Sequence, residues 1–519
     1  MMWKLECYRV LSGTREPSTP LSVILIPACF PNPLEPSMLC SRSVRLLLCS
    51  LLAAFALQMV LLPAYAQQNR PPAVPALLLS DIHFDPFLDP GKVPQLAAAP
   101  VSGWRAILDA PASADRDTHL AALEKSCHTR GRDTDEELFV SSLNALHTEA
   151  RNVQFAVIAG DLLAHALDCK FNAVFPKAPE GAYRAFTVKT MEYILLQLRA
   201  TLPGVPVYPV LGNNDSGCGD YQLDPHSAFL AESSKSFVAD VPASQRAQAQ
   251  ADFAAFGNYS VALPAPFQHL RIVAIDNLFE SSRYAGCDAK PNPAAALQPL
   301  AWLNAQLQAA RAQGEKLWIV GHIPPGIDPY STATHLRNVC GGQAPEMYLS
   351  SGALPEALAP YSDVVPLALF AHTHMDEMRL IPGISQQPPI AVKLTPSISP
   401  NNGNLPSFTV ARVNPTNGTM VDYAVVASTD AKGASWALKY SFREAYQENA
   451  YSATNVAQLL SGFEADKAAT TAPSQTYIHN YYFHASALLM ALHWPQYTCS
   501  LGNMDAESYR TCLCPTAAH

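Results

Sequence analysis

Leu77–Asp85 reads LLLSDIHFD. An apolar run ends abruptly in Asp81-Ile82-His83. Side chains two residues apart on an extended backbone point the same way. An Asp and a His at the end of a buried strand can therefore reach one metal ion together. Four further apolar runs end in the same manner. FAVIAGD closes on Asp161, and VPVYPVLGNND closes on Asn213, Asn214 and Asp215. LWIVGH closes on His322, and LALFAHTH on His372 and His374. Strand ends delivering Asp, His and Asn to one sheet edge imply a two-metal hydrolytic centre. Two ions about 3.5–4 Å apart can clamp a phosphoryl oxygen and activate a nucleophile.

The spacing of the runs extends the reading outward. Strands are expected over 76–80, 153–159, 205–211, 270–275, 317–320, 365–370, 390–394, 409–413 and 421–426. Apolar residues at three- and four-residue spacing predict helices over 136–151, 182–200 and 299–313, and 227–256 reads as largely helical. Strands alternating with helices imply an α/β architecture. Ligands in such sheets sit at the carboxyl ends of the strands, where the polar residues fall here. Residues 85–136, rich in Pro, Ala and Asp, read as an insertion forming a lid or rim over the site. After about Ala431 the sequence turns aromatic-rich and reads as mostly helical, starting with Trp436–Arg443.

The chain has 519 residues, 49% of them hydrophobic and 15% charged, and a formal net charge of -9. That composition fits a folded protein rather than a disordered one. There is no long Lys/Arg block, so no nucleic-acid partner is expected. Arg42 and Arg45 precede an apolar run that ends in Ala64-Tyr65-Ala66. That is the pattern of a secretory leader over 38–66, with Met38 as the start and 1–37 as a mis-annotated extension. The alternative is a membrane anchor, since the run from Leu46 to Ala66 is just long enough to span. Cleavage would leave a secreted or periplasmic chain with no anchor. Eight cysteines follow the leader: Cys127, Cys169, Cys218, Cys287, Cys340, Cys499, Cys512 and Cys514. An even number in an exported protein suggests disulfides, with on the order of a hundred pairings open.

The ordered series DIH, GD, GNND, GH and AHTH resembles the calcineurin-like metallophosphoesterase superfamily. That superfamily's pattern is D-x-H, G-D, G-N-H-D/E, H and G-H-x-H. The resemblance implies two β-sheets packed face to face with helices outside, and a catalytic domain over 67–431 followed by a small, mainly helical, cysteine-containing subdomain over 432–519. It implies that Asp81, His83 and His374 hold one metal, that Asn213, His322 and His372 hold a second, and that Asp161 bridges them. Finer features resemble the acid sphingomyelinase-like branch. These are GDLLAH with His165, AHTHMDEMRL, TPSISPNNGNLPSF and the late cysteines. That branch implies two divalent ions, zinc first with iron or manganese as alternatives. It implies a metal-bridging hydroxide that attacks phosphodiester or pyrophosphate bonds. The partners it implies are a small-molecule phosphoester, a nucleotide or a phospholipid headgroup, and a monomer is expected to bind them.

Two departures stand out. The family's histidine after the ligand asparagine is Asn214, and an amide cannot act as a general acid near neutral pH. His165 is the natural replacement acid, and Asn214 is kept as a catalytic candidate. Endopolyphosphatases of the same superfamily look similar at Asn-Asn-Asp. Polyphosphatase or phosphomonoesterase activity is therefore one alternative, and a catalytically weak metal- or phosphate-binding protein another. The second departure is Ala371 for Gly, which is expected to tighten the backbone beside His372. Among lesser candidates, Asn277 and His226 could line the substrate site, and Asp215 is expected to brace a metal-ligating histidine.

Overall fold

Eight of the nine expected strands become the interior strands of two sheets, and the run at 205–211 becomes an edge strand. The computed structural model describes residues 73–129, 131–483 and 487–514. The expected leader over 38–66 and the segment 1–37 lie outside the described residues. In the first sheet, β1 (Val74–Leu79), β2 (Ala156–Ile158) and β3 (Val207–Pro209) run parallel to one another. The second sheet is built on β4 (Tyr259–Ala262), β5 (Leu270–Ala274), β6 (Lys316–Val320), β7 (Leu367–Phe370), β8 (Glu377–Ile381) and β9 (Ile390–Leu394). Its order is β4-β5-β6-β7-β9-β8, parallel from β5 through β9 and antiparallel at both edges. The chain then returns to the first sheet. There β10 (Ser407–Val413), β11 (Met420–Ser428) and β12 (Trp436–Ser441) complete the order β12-β11-β10-β1-β2-β3.

The parallel strands are apolar on both faces, as strands covered on both sides must be. Ala76–Leu79 and Leu367–Phe370 are all essentially inaccessible. One continuous core joins the two sheets. Across it, the Phe155 ring meets Trp318 of β6 edge-on at 5.6 Å. The Trp318 indole N–H donates to the Gly418 carbonyl at 2.7 Å, so the ring is buried with its one polar atom satisfied. Helices Glu136–Glu149, Ala182–Thr201 and Leu297–Gln313 flank the sheets. Asp135 caps the first of them by accepting from Leu138 N at 2.8 Å.

Three strands depart from the sequence expectation, and the first, β4, lies where no strand is expected. β8 reads poorly because Glu377 and Arg379 are charged. Both are buried, and they pair at 2.8 Å. β12 reads as helical but is an edge strand, with Ala437 and Leu438 facing solvent. Beyond it the chain is helical, from Phe442–Tyr446 to Ala506–Leu513. This segment is fastened to β8, where Tyr481 donates to Glu377 Oε1 at 3.1 Å. Just before β8, Tyr440 of β12 and Lys393 of β9 both hold Asp376. All eight cysteines pair: Cys127–Cys169, Cys218–Cys287, Cys340–Cys514 and Cys499–Cys512. No helix among the described residues is long and apolar enough to cross a membrane.

Candidate metal centre

The strand ends of β1, β2, β3, β6 and β7 converge on one cluster. At five of its residues the backbone leaves the strand through the left-handed region: Asp81 (φ 45°), His83 (45°), Asp161 (54°), His372 (73°) and His374 (67°). Each such non-glycine residue costs about 1–3 kcal/mol, and strain of this kind gathers at functional sites. Glycines let the chains approach closely. A Cβ on Gly160 would stand 2.6 Å from His322 Nδ1, and one on Gly212 would stand 2.1 Å from Asp161 Oδ1. Ala371, where the superfamily has Gly, is buried and donates its N–H to the His322 carbonyl at 2.8 Å.

Hydrogen bonds aim the rings. His83 Nδ1 lies 2.9 Å from the Leu163 carbonyl, and His322 Nδ1 lies 2.7 Å from that of Ala159. A carbonyl only accepts, so each Nδ1 carries the proton and each Nε2 turns a lone pair inward. His83 Nε2 then faces His374 Nε2 at 3.1 Å, with Asp81 Oδ1 at 3.7 Å and 3.5 Å from the two rings. His322 Nε2 faces His372 Nδ1 at 3.3 Å and Asn213 Oδ1 at 3.2 Å. Asp161 Oδ2 stands between the two groups, 3.5 Å from His83 Nε2 and 3.2 Å from His322 Nε2. Asp81 Oδ1 and His374 Nδ1 are buried without a hydrogen-bond partner.

These are ligand atoms turned toward one another around two carboxylates, an arrangement that a bound cation would satisfy. Donors about 2.0–2.2 Å from a zinc ion stand roughly 3.4 Å apart around a tetrahedron, which is the range seen here. The donor set of carboxylate, imidazole and amide oxygen suits a divalent transition metal. Three overlapping trios each bring their ligand atoms within 4.8 Å: His83, His165 and His374; Asp161, His322 and His372; and Asp81, His83 and Asp161.

The electrostatics agree. Burial works against charging His83, yet contact with Asp81 and the charges of Asp161 and Asp133 raise its pKa to about 10. Burial opposes charge on His322 too, and Asp161 raises it to about 9. Desolvation and the neighbouring His322 push His372 down to about 3. Desolvation likewise takes His374 to about 3, against the pull of Asp81. Burial also works against ionising Asp161, but His322 and His83 hold it well below the usual carboxylate range. The cluster is anionic at its centre and draws in a cation.

Around this cluster lie residues that hold others in place. The Asn214 amide donates to Asp161 Oδ2 and its backbone N–H to Oδ1, both at 2.9 Å. Asp215 does not touch a histidine. It accepts from Leu162 N, Leu163 N and Gly212 N at 2.8–2.9 Å and so fixes the turns carrying Asp161 and Asn213. Asn277 is buried and accepts from His322 N at 3.3 Å and Ile323 N at 3.1 Å, bracing the His322 turn. His226 is exposed, with its backbone N–H on the Ala255 carbonyl.

His165 stacks on His83, ring centroids 4.0 Å apart, and its side chain is 38% exposed. Its Nδ1 lies 3.0 Å from Asp133 Oδ1, and its backbone N–H donates to Asp133 Oδ2 at 2.9 Å. Ser399 Oγ and Asn401 Nδ2 donate to the same Oδ1 at 3.1 and 2.9 Å. Burial works against ionising Asp133, but His165 holds it well below the carboxylate range. The insertion returns to the site because Thr134 pairs with Phe84, its N–H donating to the His83 carbonyl at 3.1 Å. On the other side Asp220 Oδ1 accepts from Asn213 Nδ2 at 2.8 Å, which turns Asn213 Oδ1 inward. The Tyr221 hydroxyl lies 3.2 Å from His372 Nε2. Nothing in the sequence singled out Asp133, Asp220 or Tyr221. Asn401 lies in TPSISPNNGNLPSF, one of the stretches that carry the family resemblance.

A family profile described as calcineurin-like phosphoesterase matches residues 74–376. Cyclic GMP-AMP phosphodiesterase SMPDL3A of Mus musculus is 22% identical over 398 residues, covering 73% of this chain and 82% of that protein. Acid sphingomyelinase-like phosphodiesterase 3b of Homo sapiens is 24% identical over 454 residues, covering 84% and 89%. An endopolyphosphatase of Yarrowia lipolytica is 26% identical over 182 residues, covering 33% of this chain and 20% of that protein.

Proposed function

The chain belongs to the calcineurin-like phosphoesterases, and from that premise we propose that it is an exported, monomeric phosphodiesterase working through two divalent ions, zinc foremost. Asp81, His83 and His374 would hold the first ion. Asn213, His322 and His372 would hold the second, with Asp161 within reach of both groups. The observation that carries this reading is Asp161 Oδ2, placed 3.5 Å from the inward nitrogen of His83 and 3.2 Å from that of His322. When bound, the ions would supply Lewis-acid charge for the phosphoryl oxygens and lower the pKa of an attacking water.

The remaining work falls to the chain itself. In-line displacement at phosphorus breaks the bond to the leaving oxygen, which needs a proton. His165 supplies it from Nε2, since its Nδ1 is committed to Asp133. Asp133 is a positioning residue that fixes the tautomer and orientation of the ring, as a carboxylate behind a histidine does elsewhere. Asn214 stands at the family's histidine position but acts on the shared carboxylate, holding Asp161 with two hydrogen bonds. Four disulfides support export, because such bonds persist in oxidising compartments.

A second reading, endopolyphosphatase, rests on Gly212-Asn213-Asn214-Asp215 and on the Yarrowia lipolytica relative. The experiment is hydrolysis of bis-p-nitrophenyl phosphate, p-nitrophenyl phosphate, ATP, polyphosphate and sphingomyelin by the purified chain, with Asp161→Asn as control. Diester cleavage lost in the control supports the first reading. Polyphosphate cleavage without diester cleavage supports the second.

A further inference from the structure

Beyond the metal cluster, on the His372 side, lies a cation that the reaction above does not use. Arg283 sits in a loop stitched to its neighbours on both sides. Ala285 N donates to the Tyr221 carbonyl at 3.0 Å, and Leu223 N to the Ala285 carbonyl at 3.3 Å. The Tyr284 hydroxyl donates to the Leu223 carbonyl at 2.8 Å, and Ser282 N to the Tyr348 carbonyl at 3.1 Å. The Cys218–Cys287 disulfide brackets the same two loops. The backbone of Arg283 is therefore held firmly although its side chain is 66% exposed.

The guanidinium lies 4.0 Å over the Tyr221 ring. That ring's hydroxyl is the group 3.2 Å from His372 Nε2. The Tyr348 ring flanks His372 from another direction, centroids 5.8 Å apart. Asp220 offers Oδ2 at 3.7 Å, beyond hydrogen-bond range, and its Oδ1 is taken by Asn213. Stacking occupies one flat face of the guanidinium, Nη2 makes a loose ion pair with Asp220, and the rest of the side chain is exposed. That planar fork matches the paired oxygens of a phosphoryl group.

We propose that Arg283, seated on Tyr221, is an anion subsite that selects substrates carrying a second negative group beside the scissile phosphorus. A neighbouring phosphoryl is the chemistry that fits, and a quaternary ammonium headgroup is repelled. The inference rests on the phosphoesterase reading of the cluster and adds a specificity-determining residue to it.

The test compares wild type, R283A and R283E on ATP, on bis-p-nitrophenyl phosphate and on p-nitrophenylphosphorylcholine. Binding of α,β-methylene-ADP is measured alongside by calorimetry. An exposed side chain is the only part removed, and retained melting temperatures confirm the fold. The expected result for R283A is a kcat/KM for ATP that falls about tenfold further than that for the neutral-armed diester, through KM. R283E enlarges that gap, weakens the analogue by a similar factor, and improves KM for the choline substrate. A structural role cannot invert sign between two substrates. Equal losses on all three substrates in R283E, or unchanged analogue binding, would overturn the inference and leave the phosphoesterase reading standing. A wild type inactive on every phosphoester would remove that reading and this inference together.

Discussion

The two sheets bring different chemistry to the same edge. The first supplies both cluster carboxylates, Asp81 and Asp161, with His83 and the amides Asn213 and Asn214. The second supplies imidazoles alone, His322, His372 and His374. Each half of the cluster mixes the sheets: Asp81 and His83 meet His374, and Asn213 meets His322. Both halves draw donors from the two sheets together. The anionic charge is concentrated on one wall, and the other wall brings imidazole nitrogens against it. The pKa directions cut across the sheets and follow contact with the shared carboxylate: His83 and His322 lie closest to Asp161 and are drawn up, while burial pushes His372 and His374 down.

Breaking the anionic wall should cost most. Asp161→Asn is expected to lower turnover on the order of 10³-fold, because its oxygen serves both halves; kcat on bis-p-nitrophenyl phosphate measures it. A loss of only a few-fold would mean the halves work separately. His165→Ala should lose about 10²-fold on a diester with an alkoxide leaving group and far less on one releasing p-nitrophenolate, which needs no proton. Equal losses on both would remove the acid role. Asp133→Asn is expected to cost about tenfold, with the metal content kept, since it reaches the chemistry only through His165. Adding Asp133→Asn to His165→Ala should then change nothing further. The smallest effect lies farthest from the cluster. Tyr481→Phe removes a hydrogen bond to Glu377, three residues beyond His374, and should lower stability by about 1 kcal/mol in urea denaturation.

The division also explains what could be read from sequence. The strand ends were legible because fully buried strands must be apolar, so each Asp or His that ends one is conspicuous. All seven candidate ligands are found in one cluster, and the two-sheet architecture with outer helices agrees with expectation. The residues behind the ligands were not legible. Asp133 lies some fifty residues after His83 in an ordinary run of charged residues, and only the Thr134–Phe84 pairing brings it back. Asp220 looks like a loop carboxylate until Asn213 is seen against it. β8 was hidden because charge in a strand reads as exposure, whereas Glu377 and Arg379 neutralise each other inside. β12 was hidden by aromatic residues that suit an edge strand as well as a helix. Disulfide pairing follows from tertiary proximity alone.

The central claim is that one carboxylate, Asp161, joins two ions into a single working site. Metal analysis of purified wild type and Asp161→Asn, reconstituted with zinc, iron or manganese and assayed on the same diester, tests it most directly. The account predicts two divalent ions per wild-type chain with turnover, and loss of ions and turnover together in the variant. A wild type that binds no divalent ion, or a variant that keeps both ions and the wild-type rate, would contradict it.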